Sequence, residues 1–507
     1  MPQSEAPMMS GAAKYLLKSV IGSVLLMSAC NVHVTAPFGG FAKSFLSEVC
    51  LIHCQFLMAA IAEECTSKDM AVPNCAGGEV IFPATRVARS SLNVFSTPLA
   101  WFRGAVYTVT VEQPAGHDNG VDLRTFLWKG VADRTGKWRW KRNLIESRTL
   151  DDRYHTGPSI GIDKYGFIHI AYNMHNMPWQ YAVSERPGDI SRFEFRGEQL
   201  TLKELELVKW KNLTPFPRFG AAAIPGTQIT YPAFFNDRKG SLYVTYRFAT
   251  HPKRTWVDRG FAGAIARYDP DKKIWTAIGG PVVVSSADAD LPGGLKSTSI
   301  PAFAYKDRWS VYLIHLFFDV KNHMHVSWLW RKGGAGVDCS TPGYACSADS
   351  GRTFLRADGT RYRLPITPEE SDVVVGGEEV QKFYAPTCIA TDLSGSPLLL
   401  LNPIGFPRIL ILPGGAKGKW SQPEKTPDDA SVIYTDDEGT QWAFATGITV
   451  LRRSVGTGHK WRRVYSDPAG DFGYPKILPV PRKKLILVYA QRMDGSEVKI
   501  IGIKTGY

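Results

Sequence analysis

His155, His175, Tyr231 and Arg247 stand at matching places in two stretches of similar pattern. The first runs HTGPSIGIDKYGFIHIAYNMH from His155 to His175; the second runs YPAFFNDRKGSLYVTYR from Tyr231 to Arg247. Each opens on a polar ring, passes through an apolar run, Asp-x-x-Gly and another apolar run, and ends on a second polar side chain. Successive sheet units would let all four converge on one groove. Two imidazoles, a phenol and a guanidinium suit proton abstraction beside a carboxylate, which points to an acidic sugar polymer.

The chemistry explains why these types are needed together. In a uronate the glycosidic oxygen at C4 lies β to the C6 carboxylate, so elimination starts with loss of the weakly acidic C5 proton. A cation against the carboxylate stabilises the enolate-like transition state. Arginine suits this role because its planar fork meets a carboxylate bidentately and stays protonated. A base must reach C5 and an acid must protonate the departing oxygen. Tyr231 can serve as either; an ordinary phenol ionises near 10, and Arg247 is the neighbouring cation that would lower it. His155 is the expected partner of Tyr231, since imidazole changes charge near neutral pH. Which of the two is the base stays open. His175 is expected to orient the carboxylate or His155.

Taken singly, each residue type is commonly structural: a strand-end histidine bonded locally, a tyrosine packed before proline, an arginine paired with Asp237 or Asp258. The inference rests on the set. Trp179, Trp330 and Arg331 are expected to line the same groove, the indoles as sugar platforms and Arg331 as a second carboxylate contact. His325 and Trp328 are weaker candidates for it. His169 alternates within an apolar strand and reads as structural. Asp151-Asp152 and Asp436-Asp437 occupy turn contexts and point to opposite faces, unlike the acid pair of a glycosidase.

The elements that would position these groups are strands. Gly, Pro and aromatic residues are dispersed, and no helical periodicity is sustained beyond the first sixty or so positions. An apolar strand, an Asp/Gly turn and another strand recur in IGIDKYGFIHIAY, FFNDRKGSLYVTYR, AYKDRWSVYLIHLFF, CIATDLSGSPLLLLN and VIYTDDEGTQWAFAT. The third copy keeps Asp307 and lacks the glycine. Irregularly spaced hairpins of one type predict an all-β fold, a seven-bladed β-propeller spanning 80–507. Ser347-x-Asp349-x-Gly351-x-Thr353-Phe354 resembles the Asp-box of sialidase-type propellers, a structural turn motif.

Residues 1–30 read as an export segment: Lys14 and Lys18 precede an apolar run that ends Met-Ser-Ala-Cys, as in a bacterial lipoprotein signal with Cys30 as lipid acceptor. The protein is therefore expected to be exported, periplasmic, outer-membrane or secreted, and to meet a membrane only through that anchor. Residues 31–79 form a cysteine-containing segment of unassigned structure. Cys339 and Cys346 flank Thr-Pro-Gly, a candidate turn closed by a disulfide. The net charge of +13 favours polyanionic partners; no nucleic-acid motif is present, so nucleic acid is not expected.

The stretch from His155 to Tyr181, together with ITYPAFFNDRKGSLYVTYRF and YACSADSGRTFLRADGTRYRLPIT, resembles the BNR-repeat propeller family that includes ulvan lyases and rhamnose–glucuronate lyases. The resemblance covers roughly residues 95 to 400 and is strongest between His155 and Arg247. It implies a polysaccharide lyase acting by β-elimination on a uronate-containing glycan, with His155, His175, Tyr231 and Arg247 as its catalytic constellation. Two departures bear on substrate more than on reaction type. Pro301-Ala302-Phe303 stands where Asn-Ala-Tyr is usual, and Gly336-Val337-Asp338-Cys339 stands near the place of Asn-His-Asp. No cofactor is expected for the chemistry. A structural calcium or zinc ion is left open, with no ligand cluster to name it. The competing readings are a rhamnosidase-like glycoside hydrolase on the same fold and a non-catalytic glycan-binding propeller.

Overall fold

The computed structural model describes residues 79–505, apart from 87–94, 114–122, 150–154, 156, 199, 202, 205–223, 256–257, 333–338, 373–382, 404–407, 412–419, 421–423, 455–459, 493 and 495. The export segment, the rest of 31–79 up to its last residue, Asp151-Asp152 and Gly336–Asp338 lie outside the described residues. Those described belong to one compact unit, Pro73–Tyr507.

That unit is a β-propeller built from antiparallel meanders. In chain order these begin with Leu99–Phe102 to Trp138–Thr149, then Ser159–Ile162 to Phe193–Phe195, then Ile229–Asn236 to Ile274–Ile278. Next come Trp309–Phe318 to Cys339–Ser347, Phe383–Thr391 to Glu424–Lys425, and Val432–Thr435 to Arg462–Tyr465. In the last sheet Phe472–Val480, Leu485–Arg492 and Glu497–Lys504 are joined by Glu79–Arg86, which pairs with the C-terminal strand. A strand from the start of the described chain thus completes the final sheet, covering the outer edge that Glu497–Lys504 would otherwise leave bare. The inner strands line a cavity of about 1260 Å³, with Ile160, Ala233, His315, Cys388, Val432 and Lys476 along its wall.

The recurring aspartate sets each hairpin by local chemistry. Asp163 Oδ1 accepts from the amides of Tyr165, Gly166 and Phe167, and Asp237, Asp392 and Asp436 cap their turns in the same way. Gly166, Gly240, Gly395 and Gly439 take φ of 97°, 84°, 93° and 84°, the left-handed conformation that favours glycine. The copy assigned to Asp307 is corrected. Asp307 precedes the Trp309–Phe318 strand, and the hairpin turn is Asp319–Asn322, where Asn322 supplies φ 65° in place of glycine.

A second correction concerns the cysteines. Thr341-Pro342-Gly343 lies inside one continuous strand, Cys339–Ser347, so the two cysteine backbones stand roughly 23 Å apart, far beyond disulfide reach. Cys346 is a free thiol. Gly343 is there because the Trp328 indole occupies the space a Cβ would need, 2.2 Å away. Downstream, Ser347 and Asp349 bond each other, and the amides of Gly351 and Thr353 close the turn onto them while Phe354 is buried.

Candidate active site

Tyr231 sits on the inner strand Ile229–Asn236 where the register slips between Thr230 and Ala233. Its φ is 56°, a left-handed conformation that costs a non-glycine residue about 1–3 kcal/mol. The bulge turns the phenol out of the strand's alternation and toward the groove. The short strand His175–Met177 pairs with this segment, His175 opposite Thr230. Two bonds fix that pairing: the Asn176 amide donates to Thr230 Oγ1 at 3.0 Å, and Thr230 Oγ1 donates to Asn176 Oδ1 at 2.9 Å. Backbone register thus places His175 beside Tyr231.

The rings form a stack. His155 and His175 lie 4.3 Å apart between centroids and 10° from parallel. Each stands 5.9 Å from the Tyr231 ring, and Phe95 covers the group 4.4 Å from Tyr231. All three polar rings are half-buried.

Arg247 comes from the neighbouring strand Leu242–Ala249, where it pairs with Thr230. Its guanidinium carbon lies 4.7 Å from the Tyr231 ring, 4.4 Å from Phe261 and 4.0 Å from Tyr312. The residue is only 2% exposed, and none of its three side-chain nitrogens has a hydrogen-bond partner among the described residues. Cation–π contact holds the group but leaves all its donors unused. A buried charge in that state is costly until an anion meets it.

Tyr312, beside a second bulge between Tyr312 and His315, extends the cluster. It accepts a 2.9 Å hydrogen bond from Arg331 Nη1. The four expected catalytic residues and Arg331 therefore lie in one contiguous group.

The same geometry separates other expectations from it. Trp179 and Trp330, expected as sugar platforms, are both 0% exposed and so offer no ring face to a ligand. Trp179 packs against Tyr246, and Trp330 packs on Trp309 and bonds Ser371. Trp328 is likewise core, and His325 lies at the far end of its strand in the Asp319 hairpin. His169 is structural as expected, its Nδ1 2.6 Å from the Tyr181 hydroxyl. Asp436 is spent on its turn and on the Trp442 indole.

Residues 129–405 match the family of BNR repeat-containing members, more than half of the chain. The chain belongs to the BNR repeat-containing family. A search of curated proteins gives no match. Among solved structures, the polysaccharide lyase Uly1 superposes with a TM-score of 0.56 at 14% identity, covering 85% of this chain and 92% of that one. A PL25 ulvan lyase bound to -[GlcA(1-4)Rha3S]- gives 0.52 at 15% identity, covering 84% and 95%. At this identity the likeness establishes the propeller fold. In this BNR-repeat chain, Phe95, Phe261 and Tyr312 are the site residues that sequence reading missed. No local motif marks them: strand pairing brings Phe261 and Tyr312 to Arg247, and Phe95 lies against Tyr231 and His155.

Proposed function

We propose that this protein is a polysaccharide lyase that cleaves at C4 of a uronic acid by β-elimination. The observation that carries the reading is Arg247: a guanidinium removed from solvent, without a hydrogen-bond partner among the described residues, beside a half-buried phenol and two stacked imidazoles. Such a group is pre-organised for a planar anion, and a C6 carboxylate meets it bidentately. Because its nitrogens are sealed, the substrate reaches it by displacing a covering group, which keeps water out of the contact.

Once the carboxylate is neutralised, Tyr231 and His155 divide the proton chemistry at C5 and at the departing oxygen. His175, stacked on His155, holds that ring in place. A solved neighbour with this fold is an ulvan lyase bound to a glucuronate–rhamnose unit, which supports a glucuronate-containing glycan as the substrate class. The meander groups and the closing first strand support a reading of seven blades.

The test is a panel of uronate polymers with products read by mass spectrometry. Elimination gives non-reducing ends lighter by one water than hydrolysis gives. Saturated products throughout would replace this reading with the hydrolase, and no turnover on any acidic polymer would leave a binding propeller.

A further inference from the structure

We propose that the channel wall just beneath Tyr231 is a carboxylate-binding subsite, with Lys476, His315 and Ser431 as its donors. The subsite rests on the lyase reading only for the source of that carboxylate. It starts from a regularity among the inner strands. The register slips in Ile229–Asn236, Trp309–Phe318, Phe383–Thr391 and Phe472–Val480, and the first residues paired below the slips are Ala233, His315, Cys388 and Lys476. Three of them stand four residues before a turn-capping aspartate: Ala233 before Asp237, His315 before Asp319 and Cys388 before Asp392. These residues form one tier. Tyr231 lies inside the first slip, two residues above Ala233, so the tier is at most about 7 Å deeper.

A slip of this kind re-aims side chains, and all four residues line the cavity that Phe95 and Tyr231 also line. Two residues further on, where alternation returns to the same face, the wall is Phe235, Phe317 and Leu478. An amine and an imidazole therefore stand together above an apolar section of wall. Cys388 is spent on that wall, its thiol 3.6 Å from the Ile433 carbonyl. Ser431, just before Val432–Thr435, lines the cavity at nearly the same depth, five residues before Asp436.

Lys476 and His315 are enclosed by protein, so the surface they keep is channel surface. Burial pushes the Lys476 amine down to about 8, with the Cys388 thiol pulling it up, so it carries its charge at neutral pH. That charge adds to the burial that keeps the His315 ring neutral. His315 Nδ1 and Ser431 Oγ are sealed and have no hydrogen-bond partner among the described residues. Because both side chains line the channel, a change of rotamer presents these atoms to it.

The tier offers donors: an ammonium, a hydroxyl and the N–H of a neutral ring. The carboxylates that line the cavity, Asp163, Asp237 and Asp437, all belong to turns at its far mouth. A donor set of this kind takes an anion, and the two oxygens of a carboxylate engage more than one of its members. Polar bonds inside such a low-dielectric wall are stronger than in water. The same chemistry comes from two sources: a second uronate of a bound glycan, or a free sugar acid.

Methyl glucuronide is the probe and methyl glucoside its neutral control, each titrated into the full chain by calorimetry. Because Arg247 is also proposed to meet a carboxylate, the titration is run in Arg247→Met. Methyl glucuronide should still bind there, and adding Lys476→Met should weaken it by about 10–100-fold, the scale of one charged hydrogen bond. Absent binding in Arg247→Met, equal binding of the glucoside, or indifference to Lys476→Met overturns the subsite. A second measurement needs no variant: methyl glucuronide should slow acylation of Lys476, followed by peptide mass, and the glucoside should not. Acylation indifferent to both overturns the subsite as well. Protection by an acidic oligosaccharide at lower concentration than by the monosaccharide assigns the carboxylate to the bound chain; equal protection assigns it to a free sugar acid. Turnover without protection strikes the subsite and leaves the lyase reading standing, and protection without turnover does the reverse.

Discussion

Arg247 and Arg453 are both buried, 2% and 7% exposed, and both lie against aromatic rings. They differ in what answers the charge. Arg453 donates to Gln441 Oε1 at 2.7 Å and to Glu424 Oε1 at 3.0 Å. Arg247 has three aromatic faces around it and, among the described residues, no acceptor. The fold answers the charge of Arg453, whereas it leaves that of Arg247 open, as the proposed carboxylate contact requires. A buried arginine whose acceptors are supplied is structural, and one whose acceptors are missing is the better candidate for a ligand contact.

The largest effect should come from breaking this contrast at both ends. Arg247→Met is expected to keep the fold and to lose at least about 10³-fold in kcat/KM, the scale of removing a transition-state charge contact. Arg453→Met should do the reverse, costing about 1–3 kcal/mol of stability with turnover per folded molecule unchanged. Denaturant melts and initial rates on both variants check the pair. Equal activity losses would erase the distinction.

Next in size are the proton-transfer groups. Tyr231→Phe and His155→Ala should each lower kcat by about 10²–10⁴-fold. Their double variant should lose little more than the worse single, since the two act as a unit. A smaller effect separates core from groove. Trp330→Phe should cost about 1–3 kcal/mol through lost packing and the lost indole hydrogen bond to Ser371, with KM unchanged. A raised KM at full stability would return Trp330 to the substrate.

The smallest expected effect is on pH. Burial, with the Lys476 charge adding to it, pushes the channel-lining His315 down to about 3. Its unfolded form binds a proton near 6.5, so between about 6.5 and 3 the unfolded state holds the extra proton and stability falls as the pH falls. His315→Gln should flatten that part of the stability profile.

Much of this was legible in the sequence because the signals are local. An Asp-x-x-Gly turn caps itself, so four hairpins could be read directly. The hairpin whose left-handed residue is Asn322 escaped, because asparagine is a weaker signal than glycine. The four candidate catalytic residues were legible as a set because they fall at the ends of those hairpins. Tyr312 and Phe261 were not, because strand pairing alone brings them to Arg247. The tryptophans misled for the opposite reason. Met324–Arg331 is buried on both faces, so alternation along it does not separate core from groove. Pro342-Gly343 read as a turn because the need for glycine beside Trp328 arises only in three dimensions.

The central claim is that Arg247 waits for a carboxylate, and a matched pair of substrates tests it most directly. A glucuronate–rhamnose polymer and its carboxyl-reduced form, in which each uronate becomes a neutral hexose, differ only in that group. The wild-type protein should release conjugated, ultraviolet-absorbing ends from the acidic polymer and leave the neutral one intact. Cleavage of both at similar rates would contradict the account.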